Sequence, residues 1–306
     1  KIIVIGDYEN KSKCNIFNLR GRYRTKYPIM AVPHNYVFMD ACNDGAVIDF
    51  FYKNIKADAR DYNGYFIAEV RKIVKKILEI TNLTKKYFSK KALKNVNLSL
   101  DKGRILGLMG PNGSGKTSLL KIIAGLQHSN SGEVLVCGKK IGTETKKLVS
   151  FLPDKNVLYP YMKAIDAINF FQNYYDDFDV NKAFELLDFM KLDKDEKVSS
   201  MSKGMIEKLN LSLTFSRNAK LFVLDEPLGG VDPVAREKII STIIKTYNED
   251  SSIIISTHLV NDVESIFDDV CFIDKGEIVL CGSAEQLRSE KNCSIDKLYI
   301  ETFQNN

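Results

Sequence analysis

"GPNGSGKT", residues Gly110 to Thr117, follows the apolar run "RILGLM" and opens the helical pattern "KTSLLKIIAGL". Gly113 and Gly115 let the backbone curl until successive N–H groups converge on one anion, and the N-terminus of the following helix adds its dipole. Lys116 brings a point charge to the β- and γ-phosphates of a nucleotide, and Thr117 offers a hydroxyl to Mg²⁺. Gly110, Pro111, Asn112, Gly113, Ser114 and Gly115 supply the rest of the cradle. All eight positions match the P-loop pattern, in the strand-to-helix context that gives the motif its meaning. The stretch predicts binding of a nucleoside triphosphate.

Outward from this loop, the chain from Ile77 onward alternates short apolar runs with helical patterns, the mark of an α/β domain. "LVSFL", "LFVLDEP" and "SIIIST" read as buried strands, and "VCFIDKGEIVLCG" as a hairpin with Lys275 and Gly276 at its turn. Between Pro160 and Val198 the pattern turns helical. Ile165, Ile168 and Phe171 form one stripe, and Ala183, Leu186, Leu187 and Met190 another. A helical insertion over about 158–217 is expected, ending on a helix capped by Ser202 with Ile206, Leu209 and Leu213 on its apolar face.

A second chemical anchor is "LFVLDEP". Four apolar residues carry Asp225 to a strand end, where its carboxylate can hold Mg²⁺. Glu226 follows, placed to take a proton from a water attacking the γ-phosphate in line. In "IIISTHL", His258 stands 32 residues beyond Glu226 at another strand end, a candidate γ-phosphate contact. Lys116, Glu226 and His258 are thus the candidate catalytic set, and Thr117 and Asp225 candidate metal ligands.

The bulk composition narrows the class. At 306 residues and 44% hydrophobic content, the chain can build one large domain or two smaller ones. Its apolar runs are far shorter than the ~18 residues of a membrane-spanning helix, and no secretory signal shows at its start. Six cysteines without a Cys-x-x-Cys pair fit reduced intracellular thiols. Residues 1–76 hold 14 Lys and Arg against 8 Asp and Glu, or +6; the remainder holds 30 against 31, or −1. That quarter also carries 12 of the 31 aromatics, so a boundary is expected near Lys76, with an extension of unassigned fold before a domain over 77–306. In the extension "KIIVIGDYEN" could open with a strand and "EVRKIVKKILEI" could include a helix. Basic and aromatic residues interleave in "NLRGRYRTKYPIM", a composition that suits a solvated or docking face, or nucleic acid.

Taken in this order, the motifs resemble the ATP-binding subunit of an ABC transporter, over about Ile77 to Gly282. The resemblance implies a P-loop NTPase (RecA-like) core, with an antiparallel β subdomain and a helical insertion bearing the family signature. "MSKGM", Met201 to Met205, stands in the signature's place; Ser202 and Gly204 are kept, whereas Met201, Lys203 and Met205 depart from the commonest Leu-Ser-Gly-Gly-Gln. It implies that Ser202 and Gly204 close over the γ-phosphate of a second subunit in a head-to-tail homodimer or heterodimer. Tyr87 falls where the family stacks an aromatic on adenine, with Phe88 beside it as rival. Asp232 in "GGVDP" matches the loop that crosses the dimer interface. Asp154 in "FLPDKN" replaces the Q-loop glutamine; an ionised carboxylate only accepts hydrogen bonds, and it is expected still to serve Mg²⁺. ATP and Mg²⁺, a permease on a separate chain, attachment through it to the cytoplasmic face of the membrane, and an export role are implied too. No nucleic acid is expected; the rival is a soluble ABC ATPase acting on nucleic acid or ribosomes through the basic extension.

Overall fold

The fold was obtained as a computed structural model, which describes residues 2–7, 58–62, 65–70, 76–88, 90–247 and 250–304. The chain divides into two compact units, Lys1–Val74 and Lys75–Asn306. In the first, β1 (Ile2–Asp7), β2 (Asp58–Tyr62) and β3 (Tyr65–Val70) form an antiparallel sheet of order β1-β3-β2. The expected opening strand is therefore present. In "EVRKIVKKILEI", which could include a helix, the described residues are strand: Glu69 and Val70 end β3 and Lys76–Ile80 begin the next strand, while 71–75 lie outside the described residues. The basic and aromatic stretch 18–30 also lies outside them.

The second unit is built on a six-stranded sheet. Its strands are β6 (Ile105–Met109), β9 (Val149–Leu152), β10 (Leu221–Asp225), β11 (Ser252–Thr257), β12 (Asp269–Asp274) and β13 (Glu277–Ser283), in the order β13-β12-β6-β11-β10-β9. Every pairing is parallel except β12 with β13, the hairpin foreseen around Lys275 and Gly276. A parallel sheet needs crossovers that cover both faces, so its strands read as unbroken apolar runs rather than alternating ones. β6, β10 and β11 are buried at every position.

Alternate residues of those strands feed two cores. Leu106, Leu108, Leu221, Val223 and Ile254 join Leu119, Leu120, Ile122 and Ile123 of the helix Lys116–Ile123. This core also takes a second, antiparallel sheet of order β5-β4-β7-β8, made of β4 (Lys76–Tyr87), β5 (Lys90–Asp101), β7 (Ser131–Val136) and β8 (Lys139–Lys140). On the other face Phe222, Leu224, Ile253 and Ile255 pack against the helices Ala164–Tyr174, Val180–Met190, Lys203–Phe215 and Pro233–Thr246. The stripe Ala183, Leu186, Leu187 and Met190 is buried as its spacing predicts, and Asp179 caps its helix by accepting from the Lys182 amide. In the preceding helix the fully buried positions are Ala164, Ala167 and Ile168, with Phe171 half-buried against them.

Phe215 ties the helical region to the sheet: it is fully buried, with its ring centroid 4.9 Å from that of Phe222 on β10. Phe215→Ala leaves a cavity there, and denaturant unfolding should show a loss of about 3–5 kcal/mol.

Candidate functional site

Four parallel strands point their C-terminal ends to one edge of the sheet, where ligands of open α/β folds bind. β6 runs into Gly110–Thr117, β9 leads to Asp154, β10 ends on Asp225 with Glu226 next, and β11 leads to His258. Residues spread over nearly half the chain are brought together by register alone: Asp225 lies opposite Ser256, and Thr257 opposite Met109.

The loop is shaped by two left-handed glycines. Gly113 (φ +81°) has no atom within 4 Å of the position of a Cβ, leaving its backbone open to a ligand. Gly115 (φ +115°) caps the helix, and a side chain there would stand 2.6 Å from the Ala92 carbonyl oxygen. The back of the loop rests on the β12–β13 turn, where the Gly276 amide donates to the Ser114 carbonyl at 2.9 Å. Ser114 turns its hydroxyl inward, and that oxygen has no partner. Asn112 and Thr117 are exposed.

Lys116 is buried, and its ammonium donates to the carbonyls of Gly110 (2.7 Å) and Pro111 (3.3 Å) while standing 3.5 Å from Glu226 Oε1. Glu226 adopts φ +52°, an uncommon conformation for a residue with a side chain, typical of functional sites. Its turn off the strand is fixed by its amide, which donates to the Ser256 carbonyl and hydroxyl. The carboxylate then reaches His258: Oε2 lies 2.8 Å from Nδ1 and accepts from the His258 amide at 3.3 Å.

Asp225 sits beneath this network, 1% exposed. Its Oδ1 accepts from the Ser256 hydroxyl at 2.6 Å, and its Oδ2 has no partner. Burial pushes its pKa up, the hydroxyls of Ser256 and Thr117 pull it down, and the negative charges of Asp154 and Glu226 push it up again. Asp154 is exposed, near enough to Gly229 that a Cβ on that glycine would lie 4.0 Å from its Oδ1.

Tyr87 ends β4 with its hydroxyl hydrogen-bonded to Gln127 and 3.4 Å from Ser118, in the first turn of the loop helix. Its rival Phe88 projects wholly into solvent. Ser202 and Gly204 belong to a different corner. Ser202 caps its helix by accepting from the Met205 amide at 3.2 Å, and Asp232 caps Pro233–Thr246 by accepting from the Ala235 amide at 3.0 Å, which holds the Asp232 carboxyl below its usual range. The two caps adjoin: a Cβ on Gly204 would lie 3.5 Å from Asp232 Oδ2. Among the described residues no hydrogen bond or ion pair joins Ser202 or Gly204 to Gly110–Thr117.

Ser256 is the functional residue the sequence did not disclose. It stands two places before His258, but its use depends on which strand neighbours β11. Glu207, one turn into the signature helix, is a buried carboxyl the sequence did not flag, 7% exposed. Burial raises its pKa to about 7; Lys203 lowers it and Asp154 raises it.

With this geometry in view, comparison with known proteins is decisive. A family profile described as ABC transporter matches residues 93–229. The linearmycin resistance ATP-binding protein LnrL of Bacillus subtilis (strain 168) is 31% identical over 221 residues, 70% of this chain and 71% of that protein. The chain belongs to the ABC transporter ATP-binding family. The lantibiotic transport ATP-binding protein SrtF of Streptococcus pyogenes is 30% identical over 206 residues, 67% of this chain and 90% of that protein. Among solved structures, a dimeric post-hydrolysis state of the cassette MJ0796 bound to ADP and Pi superposes with a TM-score of 0.62, at 24% identity over 67% of this chain and 98% of that one. The expected α/β cassette is the fold observed, and the chain is an ATP-binding, ATP-hydrolysing subunit of an ABC transporter. Among the described residues no helix of this ABC ATPase is long and apolar enough to cross a membrane.

A raised carboxyl pKa is a stability statement. Glu207 favours the fold most below its unfolded value of 4.5, and this contribution is lost as pH rises through about 7. Glu207→Gln removes the titration, so the variant should match the parent at pH 4.5 and exceed it at pH 8 by roughly 1–3 kcal/mol, read from urea midpoints.

Proposed function

We propose that the chain hydrolyses ATP at the edge formed by β6, β9, β10 and β11, and that ATP-driven closing and opening of a dimer powers a permease on a separate chain. The observation that carries this is the convergence of Lys116, Asp225, Glu226 and His258, from three strands, on one point. Gly110 to Thr117 wrap the phosphates with backbone N–H groups, and Lys116 exchanges its present carbonyl partners for phosphate oxygens. Tyr87 stacks on the adenine, its hydroxyl already tied to the loop helix.

Mg²⁺ fits the oxygens on offer. Asp225 Oδ2 is buried without a hydrogen-bond partner among the described residues, and the Thr117 hydroxyl is near enough to lower the Asp225 carboxyl pKa, an arrangement that offers two hard oxygen ligands. Among the described residues no three His, Cys, Asp or Glu side chains are grouped to hold a metal by themselves, and Mg²⁺ in such sites takes one or two protein oxygens with the rest from phosphate and water. When bound, the ion offsets the charge that develops on the phosphate oxygens. Asp154 adds a second carboxylate to that shell in place of the family's glutamine.

Glu226 accepts the proton of the attacking water, and His258, held by Glu226, contacts the γ-phosphate. Ser202, Gly204 and Asp232 form no part of the same-chain phosphate loop, and the dimeric solved cassette supports a second subunit as the source of the nucleotide they meet. Relatives named for linearmycin resistance and lantibiotic transport support export as the direction. The permease has a seat: a groove of about 430 Å³ lined by Val157, Tyr159, Met162, Phe170, Phe171 and Tyr174, four of which are exposed large apolar side chains. Docking there places the chain on the cytoplasmic face of the membrane.

Two outcomes test this. Glu226→Gln should bind ATP as the parent does and lose turnover by about 10²–10⁴-fold, with a longer-lived ATP-bound dimer in size-exclusion chromatography; unchanged turnover would place the base elsewhere. The double change Phe170→Asp and Tyr174→Asp should abolish co-purification of a multi-spanning membrane protein from gently solubilised native membranes while ATP binding persists.

A further inference from the structure

The β12–β13 hairpin carries a pair of thiols that ATP hydrolysis does not use. Cys271 and Cys281 are direct partners in the antiparallel register. Residues so paired point to the same face, with Cα atoms about 4.5 or 5.5 Å apart according to the hydrogen-bonding pattern. Both separations fall within the roughly 4.4–6.8 Å that a disulfide spans. Their surroundings are unequal. Cys271 is fully buried, flanked on its other side by Leu108 of β6. Cys281 is exposed on β13, the outermost strand of the sheet, whose second edge has no partner strand among the described residues.

We infer that Cys271 and Cys281 form a reversible redox pair, oxidised by peroxide to a cross-strand disulfide that resets the hairpin behind the phosphate loop. The exposed Cys281 is the sulfur that reacts first. Hydrogen bonding from Cys271 holds the Cys281 thiol below its ordinary range, whereas the same bond and burial push Cys271 up. The Cys281 thiolate attacks one peroxide oxygen, the O–O bond breaks, and hydroxide leaves, giving a sulfenic acid. Cys271 then loses its proton as its sulfur attacks that of Cys281, and the hydroxyl departs as water. Two thiols lose two electrons, and peroxide is reduced to two waters. A small thiol such as glutathione reverses the change by exchange at the exposed sulfur.

The hairpin couples the pair to the nucleotide site. Its turn holds the loop through the Gly276 amide on the Ser114 carbonyl, and the Lys94 amide donates to the Gly276 carbonyl at 2.8 Å. Gly110 lies so close to β12 that a Cβ would stand 2.2 Å from the Ile273 carbonyl oxygen. A disulfide five residues from this turn imposes its own torsion on two strands with no slack against the loop.

The test uses the full chain and hydrogen peroxide. Intact mass should fall by two hydrogens per chain, with peptides containing Cys271 and Cys281 joined until dithiothreitol is added. Cys271→Ser should halt at a Cys281 sulfenic acid that dimedone traps, and Cys281→Ser should leave Cys271 unreacted. A link through other cysteines, a link between chains, or further oxidation of Cys281 without a link would overturn the pair. ATP affinity of the oxidised chain should differ at least twofold from that of the reduced chain and return with dithiothreitol; equal affinities would overturn the coupling. The mass result is independent of nucleotide, so failure of the pair and failure of the proposed ATP chemistry are separately visible.

Discussion

Asp225 is a carboxylate kept almost out of water with one oxygen unpaired, and the sheet has to hold it there. An uncompensated buried charge works against folding. It is tolerated because β10 is buried along its whole length between two cores, so the strand end cannot turn outward to hydrate the group without exposing Leu224 and its neighbours. Ser256, on the adjacent strand, satisfies one oxygen. The other has no hydrogen-bond partner among the described residues. The raised pKa expresses the same tension, which a cation would release.

Around that carboxylate the cations and acids are arranged to be exchanged rather than created. Lys116 rests on two loop carbonyls and close to Glu226, so a buried ammonium is not left unpartnered before nucleotide arrives. Glu226 in turn holds His258. These contacts can be replaced by phosphate oxygens with little movement, because each is a side-chain contact mounted on a strand end or a helix start. The cost of pre-organisation is concentrated in backbone: the left-handed turn at Glu226 and the glycine conformations at Gly113 and Gly115.

Much of this was legible in the sequence because the phosphate loop is contiguous. Its glycines, Lys116 and Thr117 act from neighbouring positions, and the apolar runs before Asp225 and His258 place those residues at strand ends. Ser256 was not legible, since its value lies in the β10–β11 register, which no local pattern records. The strand at the end of "EVRKIVKKILEI" was hard to read for a different reason. A register shift between Lys76 and Leu78 on β4 lets the adjacent residues Ile77 and Leu78 both turn inward, so the burial pattern departs from the alternation that identifies a strand. The helical insertion was found, but its first helix is buried through alanines at 164 and 167 that a search for large apolar residues passes over.

Gly204 stands at the head of its helix beside the start of another. A Cβ at this position would meet Ala235 and Asp232 only at ordinary van der Waals distance, so two capped helix starts stand side by side without requiring the glycine. The Lys203 ammonium is drawn across the same corner, close enough to Gly230 that a Cβ there would meet it at 2.2 Å. Two helix N-termini, capped by Ser202 and Asp232, thus stand beside Lys203 and the buried Glu207. The loop carrying Asp232 begins at the Gly229 amide, which donates to the Glu226 carbonyl, so three residues of backbone join that corner to Glu226. The backbone from Glu226 to Asp232 is thus the shortest covalent path between the carboxylate beside Lys116 and the paired helix caps.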